Sequence, residues 1–256
     1  MQEAKFTHTI SQGSRYNQIY IPKEMSSTFQ VGDIVEIKLI EKKTHLYYSK
    51  NLKKLSPFKE KLIRDIFTEI DKFKEVKQIF VFGSFLSKDV DYNDIDIMVL
   101  SDKEIEDKIY QDLIKKFSLK FHVISVEGNN LEESLKISPM TRSMFYYFVS
   151  NRPLSVPKET RIEKNHILYL LMMPEDLLKF ELDSKVFYSN IRKLITIERF
   201  LDCKDADPEE INDSLRKLIR EPLLSLIKNN DSIEENSIKE LRKIIKLKLE
   251  SIKKKL

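Results

Sequence analysis

Two short segments in the middle of the sequence carry residues that could do chemistry together. The first is Gly83-Ser84, which directly follows the apolar run at residues 78–82. Glycine lets the backbone approach a ligand without a Cβ in the way, and a backbone N–H with a serine hydroxyl can hold phosphate oxygens. The second segment is the pair Asp94 and Asp96, which heads the apolar run at residues 97–100. Since alternate residues of a strand point to the same side, the two carboxylates are predicted to project together.

Two neighbouring carboxylates predict a cation between them. They repel each other, and near a core they are costly unless a positive charge neutralises them. Mg²⁺ or Mn²⁺ fits, because such ions take carboxylate oxygens together with substrate phosphates. Asp94 and Asp96 are therefore the candidate metal ligands, and Gly83, Ser84 and the basic Lys88 are the candidate phosphate contacts. Taken singly, these residues are better explained as an ordinary turn, a pair of exposed acids and a surface lysine, and it is their combination that favours a site.

The elements that must position these residues alternate between strand and helix. Hydrophobic periodicity predicts strands at 78–82, 94–100 and 119–126, and helices at 57–74, 103–117 and 138–148. Such alternation is typical of a layered α/β domain, which we place at residues 56–153 with a mixed sheet. The aromatic residues of the last helix are interpreted as core, with a base-stacking platform as the alternative.

The two ends of the chain differ from this centre. Residues 1–50 alternate apolar and polar positions at 15–22 and 33–40, which predicts a small N-terminal β domain. Residues 157–256 show only helical spacing, interrupted at prolines, which predicts an all-helical C-terminal domain. The predicted fold class is therefore α+β, in three parts.

The central motif resembles the signature of the DNA polymerase β-like nucleotidyltransferase superfamily, especially its minimal members. The residues that carry the resemblance are Phe82-Gly83-Ser84 and Asn93-Asp94-Ile95-Asp96-Ile97. The resemblance implies a nucleotidyltransferase fold in which Gly83 and Ser84 hold the triphosphate and Asp94 and Asp96 hold one or two Mg²⁺. It also implies attack on the α-phosphate of a nucleoside triphosphate, with ATP the expected one. Acceptors in this superfamily include RNA ends, small molecules and proteins.

The motif departs from the family pattern at two positions. Lys88 stands where the minimal family usually has a glycine, and His122 stands where a third carboxylate is expected on a neighbouring strand. A neutral His122 could act as a general base. The alternative is a partly buried, hydrogen-bonded histidine with no role in catalysis. Both interpretations of His122 stay open at this point.

The N-terminal part resembles the AbrB-type swapped-hairpin domain. The resemblance is carried by the segments Ile19-Tyr20-Ile21-Pro22-Lys23-Glu24 and Gly32-Asp33-Ile34-Val35-Glu36-Ile37. It implies an intertwined homodimer that binds DNA, with Lys5, Arg15 and Lys23 as the candidate DNA contacts. Two short hairpins cannot bury a core alone, which also favours a partner copy.

Composition narrows the class of protein. The chain has 256 residues, a net charge of +4 and one cysteine, so no internal disulfide can form and a reducing compartment is indicated. The balance is mildly basic, which permits nucleic acid as a partner without requiring it. We find no apolar run long enough for a membrane span and no apolar N-terminal leader, and we predict a cytoplasmic protein without membrane contact.

Two functional hypotheses follow. The first is a Mg²⁺-dependent nucleotidyltransferase that transfers a nucleoside monophosphate to an unknown acceptor, among which RNA is one candidate. The second is a DNA-binding regulator or antitoxin-like protein with a catalytically degenerate nucleotidyltransferase fold. The intact motif residues favour the first hypothesis, while His122 and the AbrB-like start favour the second.

Overall fold

The computed structural model describes residues 5–38, 44–87, 92–180 and 182–256. By its internal contacts the chain divides into two compact units, Met1–Lys43 and Thr44–Leu256. Within the described ranges, none of the helices combines the length and apolarity that crossing a bilayer requires.

The described part of the N-terminal unit, residues 5–38, contains one short hairpin. Strands β1 (Ser11–Gln12) and β2 (Asn17–Gln18) pair antiparallel, and a 3₁₀ turn follows at Lys23–Met25. The strand predicted at 15–22 is thus reduced to two residues, and the strand predicted at 33–40 is absent over its described part, 33–38. The physical reason is that an alternating apolar face forms a strand only when another element covers it. Ile34 and Ile37 are exposed instead.

The larger unit is built around a mixed five-stranded sheet, which confirms the predicted α+β fold class. Its strands are β3 (Tyr47–Tyr48), β4 (Val76–Phe82), β5 (Ile95–Ser101), β6 (Phe121–Val126) and β7 (Phe148–Ser150). Their order in the sheet is β3-β7-β4-β5-β6, and of the neighbouring pairs only β5 and β6 run parallel.

Each face of the sheet is buried under helices. On one face, α1 (Pro57–Ile70) and α2 (Glu106–Phe117) enclose a core that includes Ile97 and Val99 of β5. On the other face, α3 (Gly128–Ile137) and the residues after α4 (Pro139–Met144) cover Phe80 and Phe82 of β4. Because successive side chains of a strand point to opposite faces of the sheet, each residue's position in its strand decides which face its side chain occupies.

The segment predicted as one helix at 138–148 is instead a short helix followed by a strand. Ser138 caps α4, since its Oγ accepts the N–H of Thr141 at 3.3 Å, and Pro139 occupies the first helical position. Phe148 then pairs with Phe82, so tertiary pairing overrides the helical pattern. The interpretation of the aromatic residues as core is confirmed for Phe145 and Phe148, which are buried.

In the described residues of the C-terminal part, the only regular secondary structure is helical, as predicted. Five helices surround one apolar cluster, with α6 in contact with each of the others. They are α5 (Lys164–Asp176), α6 (Ser184–Leu201), α7 (Pro208–Leu218), α8 (Leu223–Asn229) and α9 (Glu235–Lys255).

Candidate active site

The sheet brings three distant segments to one edge. Phe82, the last residue of β4, pairs with Asp96 of β5, and Asp96 pairs with His122 of β6. Because β4 runs antiparallel to β5 while β6 runs parallel to it, the end of β4 meets the beginnings of β5 and β6. Gly83, Asp96 and His122 are therefore neighbours, although 39 residues separate the first from the last.

Gly83 lies against the carboxylate of Asp96. Its φ of +80° is in the left-handed region, and a Cβ added there would stand 2.1 Å from Asp96 Oδ2. Only glycine allows both this backbone conformation and this approach. A 3₁₀ turn follows, in which the N–H of Leu86 donates to Gly83 O and the N–H of Ser87 donates to Ser84 O. Gly83 and Ser84 are exposed, so a ligand can reach their N–H groups and the Ser84 hydroxyl.

The second oxygen of the Asp96 carboxylate contacts His122. Nδ1 of His122 lies 3.2 Å from Asp96 Oδ1, and the His122 side chain is 62% exposed against 23% for Asp96. An ionised carboxylate can only accept a hydrogen bond, so Nδ1 of His122 is the donor in this contact. In the neutral imidazole, Nε2 is then an acceptor. The two residues therefore form a carboxylate–imidazole pair whose imidazole is largely exposed.

The environment of Asp96 disfavours its negative charge. Burial raises the pKa of the Asp96 carboxyl, the hydrogen bond from His122 opposes that rise, and repulsion from the Asp94 carboxylate adds to it. Asp94 itself precedes β5 by one residue, next to Ile95, whose N–H donates to Lys120 O at 3.0 Å. A cation beside these two carboxylates would remove both their repulsion and part of the cost of burial.

This arrangement agrees with a comparison against known families. Residues 60–145 match the model of the nucleotidyltransferase domain. The matched span includes Gly83, Ser84, Asp94, Asp96 and His122, and it supports a general role in nucleotidyl transfer. The nucleotidyltransferase resemblance is thereby confirmed for the central region, whereas the AbrB-type resemblance stays a prediction. A comparison with curated proteins gave no significant match.

The donor set at this edge of the sheet is of the kind that would hold a magnesium ion shared with substrate phosphates. Among the described residues there is no group of three or more His, Cys, Asp or Glu side chains that could hold a metal alone. Mg²⁺ is commonly bound through one or two carboxylates together with substrate phosphates and water, rather than in an all-protein cage. Asp94 and Asp96 supply such a pair, and the exposed turn at Gly83 and Ser84 lies against the Asp96 carboxylate.

The sequence also predicted a phosphate contact at Lys88 and three DNA contacts in the N-terminal unit. Lys88 falls within 88–91, which the structure does not describe. Lys5, Arg15 and Lys23 are exposed on the N-terminal unit. Arg142, a basic residue near the end of the matched span, donates to the backbone oxygens of Leu135, Lys158 and Glu159, which makes it a structural link.

The patterns in the sequence did not predict a contact between the helical part and the segment that precedes β7. Phe148 of β7 pairs with Phe82, so the residues just before β7 lie beside the turn at Gly83. There the hydroxyl of Tyr146 donates to Oδ2 of Asp207, the N-cap residue of α7, at 3.2 Å. Burial and the Asp207 carboxylate raise the pKa of Tyr146 to about 12, so the hydroxyl remains a donor at neutral pH.

Proposed function

We propose that this protein is a Mg²⁺-dependent nucleotidyltransferase that transfers a nucleoside monophosphate from a nucleoside triphosphate, with ATP the first candidate, to an acceptor. The observation that carries the proposal is the contact between the Gly83 turn and the Asp96 carboxylate, with Asp94 and His122 beside it. An open turn that can take phosphate thus stands directly against carboxylates that can take a metal. The family match over residues 60–145 supports the same reaction class.

In this proposal the turn binds the phosphates and the two aspartates bind the metal. The exposed N–H groups after Gly83 and the Ser84 hydroxyl would hold the phosphate chain. Asp94 and Asp96 would hold Mg²⁺ or Mn²⁺, which when bound supplies positive charge to the attacking and leaving oxygens. In the reaction, an acceptor oxygen forms a bond to the α-phosphorus. The bond from that phosphorus to the β-phosphate oxygen breaks, and pyrophosphate leaves.

His122 is suited to take the acceptor's proton. With Nδ1 donating to Asp96, a neutral imidazole presents Nε2 as the acceptor, and the side chain is largely exposed. A carboxylate that accepts the Nδ1–H hydrogen bond also orients the imidazole in other general-base systems. This geometry favours the general-base interpretation of His122 over a purely structural one.

The first experiment is calorimetric titration of Mg²⁺–ATP, followed by the other triphosphates, into the wild type and an Asp94→Asn/Asp96→Asn double variant. We expect metal-dependent binding that weakens about a hundredfold or more in the double variant, because two charge-assisted contacts are lost. The matched control is Asp102→Asn, which changes an exposed aspartate just beyond the opposite end of β5, paired with Lys77. This control should bind like the wild type.

Failure of the wild type to bind any triphosphate in Mg²⁺ or Mn²⁺ would refute the enzyme proposal. If binding is found, α-labelled ATP should then be offered with RNA, with small hydroxyl compounds and with the protein itself. Label that becomes covalently attached identifies the acceptor class.

One observation favours the second hypothesis, a DNA-binding regulator with a degenerate site. His122 occupies the paired position next to Asp96 where the family pattern expects a carboxylate. In that case a homodimer formed through the N-terminal unit would bind DNA with Lys5, Arg15 and Lys23. Selective DNA retention that an Arg15→Ala/Lys23→Ala variant loses, in a chain that turns over no triphosphate, would support this alternative.

A further inference from the structure

A half-buried lysine on α1 is bonded to the turn at residues 83–87. Nζ of Lys59 donates to the backbone oxygen of Ser87 at 2.8 Å. The same ammonium group lies 5.3 Å from the centre of the Phe85 ring and 5.6 Å from the centre of the Tyr92 ring. These two rings pack edge to face, with 4.9 Å between their centres. One cation thus contacts residues on both flanks of the connection between β4 and β5.

The position of Lys59 follows from how α1 begins. Pro57 occupies the first helical position, and Ser56 caps the helix by accepting the N–H of Lys59 at 3.3 Å. Lys59 is therefore in the first turn of a helix whose inner face, including Ile63, is fully buried against the sheet. An anchor on such an element has little freedom to move.

A chain of hydrogen bonds leads from Lys59 to the residues that the proposed function uses. Lys59 holds the oxygen of Ser87, whose N–H and Oγ both donate to Ser84 O, at 3.0 and 2.7 Å. Ser84 directly follows Gly83, which lies against Asp96. A hydrogen bond from an ionised donor is stronger than one between neutral groups. The attraction between an ammonium group and the face of an aromatic ring adds to it. Loss of the ammonium therefore loosens the turn at its far end.

We propose that Lys59 is a positioning residue, which holds the turn at residues 83–87 in the conformation that receives the triphosphate. This inference rests on the proposed function for its purpose, but the positioning itself can be measured without any nucleotide. Binding to a turn that is already ordered avoids the entropic cost of ordering it. Lys59 should consequently affect the affinity for triphosphates without contacting the reacting atoms.

The first arm of the test measures backbone hydrogen exchange in the free protein. We expect the amides of Leu86 and Ser87 to exchange about tenfold faster in Lys59→Met than in the wild type, the scale set by one lost charge-assisted bond. Lys59→Arg should restore slow exchange. The matched control is Lys61→Met on the same helix, which removes an exposed lysine paired with Asp65 and should change nothing at the turn.

The second arm measures the dissociation constant for Mg²⁺–ATP. Lys59→Met should raise it about tenfold, while Lys59→Arg and Lys61→Met stay near the wild type. Because Lys59 acts through the turn, its effect should be smaller in a Ser84→Ala background, in which one of the contacts that the ordered turn offers is already absent. A variant that only weakened the fold would lower the melting temperature and would show additive effects with Ser84→Ala.

The two arms separate the two proposals. Unchanged exchange at Leu86 and Ser87 in Lys59→Met overturns the positioning role, whatever the nucleotide result. Faster exchange with unchanged affinity overturns the link to the triphosphate. If the wild type binds no triphosphate, the proposed function fails, while the exchange data still decide whether Lys59 orders the turn.

Discussion

The two units of this chain use similar apolar residues in opposite ways. In Thr44–Leu256, isoleucine and phenylalanine side chains fill closed clusters on both faces of the sheet and between the helices. In the described part of the N-terminal unit, residues 5–38, no residue is buried, and Ile34 is 100% exposed. About forty residues cannot close a core on their own. Apolar patterning therefore yields stable layers only where enough chain is present to cover them.

This contrast supports the proposal that the N-terminal unit pairs with a second copy. Its alternating residues at 33–38 present apolar side chains with no cover from the rest of that unit. A two-fold partner would supply the same face in return. The larger unit has no such need, since its own helices cover its sheet.

The largest expected difference between the units is in the cost of deleting an apolar side chain. Phe67→Ala, on the fully buried face of α1, should lower the free energy of unfolding by about 3–5 kcal/mol through lost burial and a cavity. Ile34→Ala should change it by about 0.5 kcal/mol or less in the monomer, because the side chain is already in water. Urea unfolding monitored by circular dichroism measures both.

The same pair of variants tests the dimer. Sedimentation should show a larger dimer dissociation constant for Ile34→Ala and an unchanged one for Phe67→Ala under conditions in which both variants are folded. A monomeric wild type would refute the dimer. Equal unfolding costs for the two variants would remove the contrast between the units.

The central elements could be predicted because their patterns are long and carry their own boundaries. The apolar run at 78–82 lies within β4, and the run that Asp94 heads became β5 at Ile95–Ser101. The helix α3 was not predicted. The strand β7 could not be predicted, because it has three residues and forms by pairing with β3 on one side and β4 on the other. Such pairing depends on residues about 70 to 100 positions away.

The candidate site was predictable in its residue types and not in its contacts. Glycine and aspartate at this spacing indicated a phosphate contact and a metal site, because residue types and their spacing can be read from a short segment of sequence. The sharing of the Asp96 carboxylate between Gly83 and His122 depends on strand register. Lys59 gave no signal, because one lysine in the first turn of an amphipathic helix looks like any solvated charge.

A second comparison between the units uses their two glycines of positive φ. Gly83 has φ +80° and would place a Cβ 2.1 Å from Asp96 Oδ2, whereas Gly32 has φ +102° and nothing within 4 Å of its added Cβ. Both alanine variants should suffer backbone strain of about 1–2 kcal/mol. Only Gly83→Ala should also displace the Asp96 carboxylate, since a short side chain moves more readily than the backbone.

For both glycine variants, the affinity for Mg²⁺–ATP and the melting temperature should be measured. Gly83→Ala should weaken binding about a hundredfold, the scale that an ångström of misplacement costs at an active site. Gly32→Ala should lose similar stability while its affinity stays at the wild-type value. Equal affinities for the two variants would mean that the approach of Gly83 to Asp96 does not matter for the ligand.

The smallest expected effect concerns the charge of Asp96 and its dependence on pH. Burial and the Asp94 carboxylate raise the pKa of Asp96 against the opposing hydrogen bond from His122. A raised pKa means that the folded chain holds the proton more tightly, so this contribution to stability is present below the unfolded-state pKa. It is lost as the pH rises through the folded-state pKa. At neutral pH the wild type therefore carries a destabilising charge that a neutral side chain would avoid.

Asp96→Asn should accordingly raise the melting temperature at pH 7, and the gain should shrink as the pH falls and the wild-type carboxyl becomes protonated. The control in the N-terminal unit is Glu36→Gln, an exposed carboxylate whose removal should change stability by about 0.5 kcal/mol or less. Mg²⁺ should stabilise the wild type by binding the folded state and should do so much less in Asp96→Asn. A variant that is less stable at pH 7 would show that the bond to His122 outweighs burial, and the site would then be organised around the imidazole before any cation arrives.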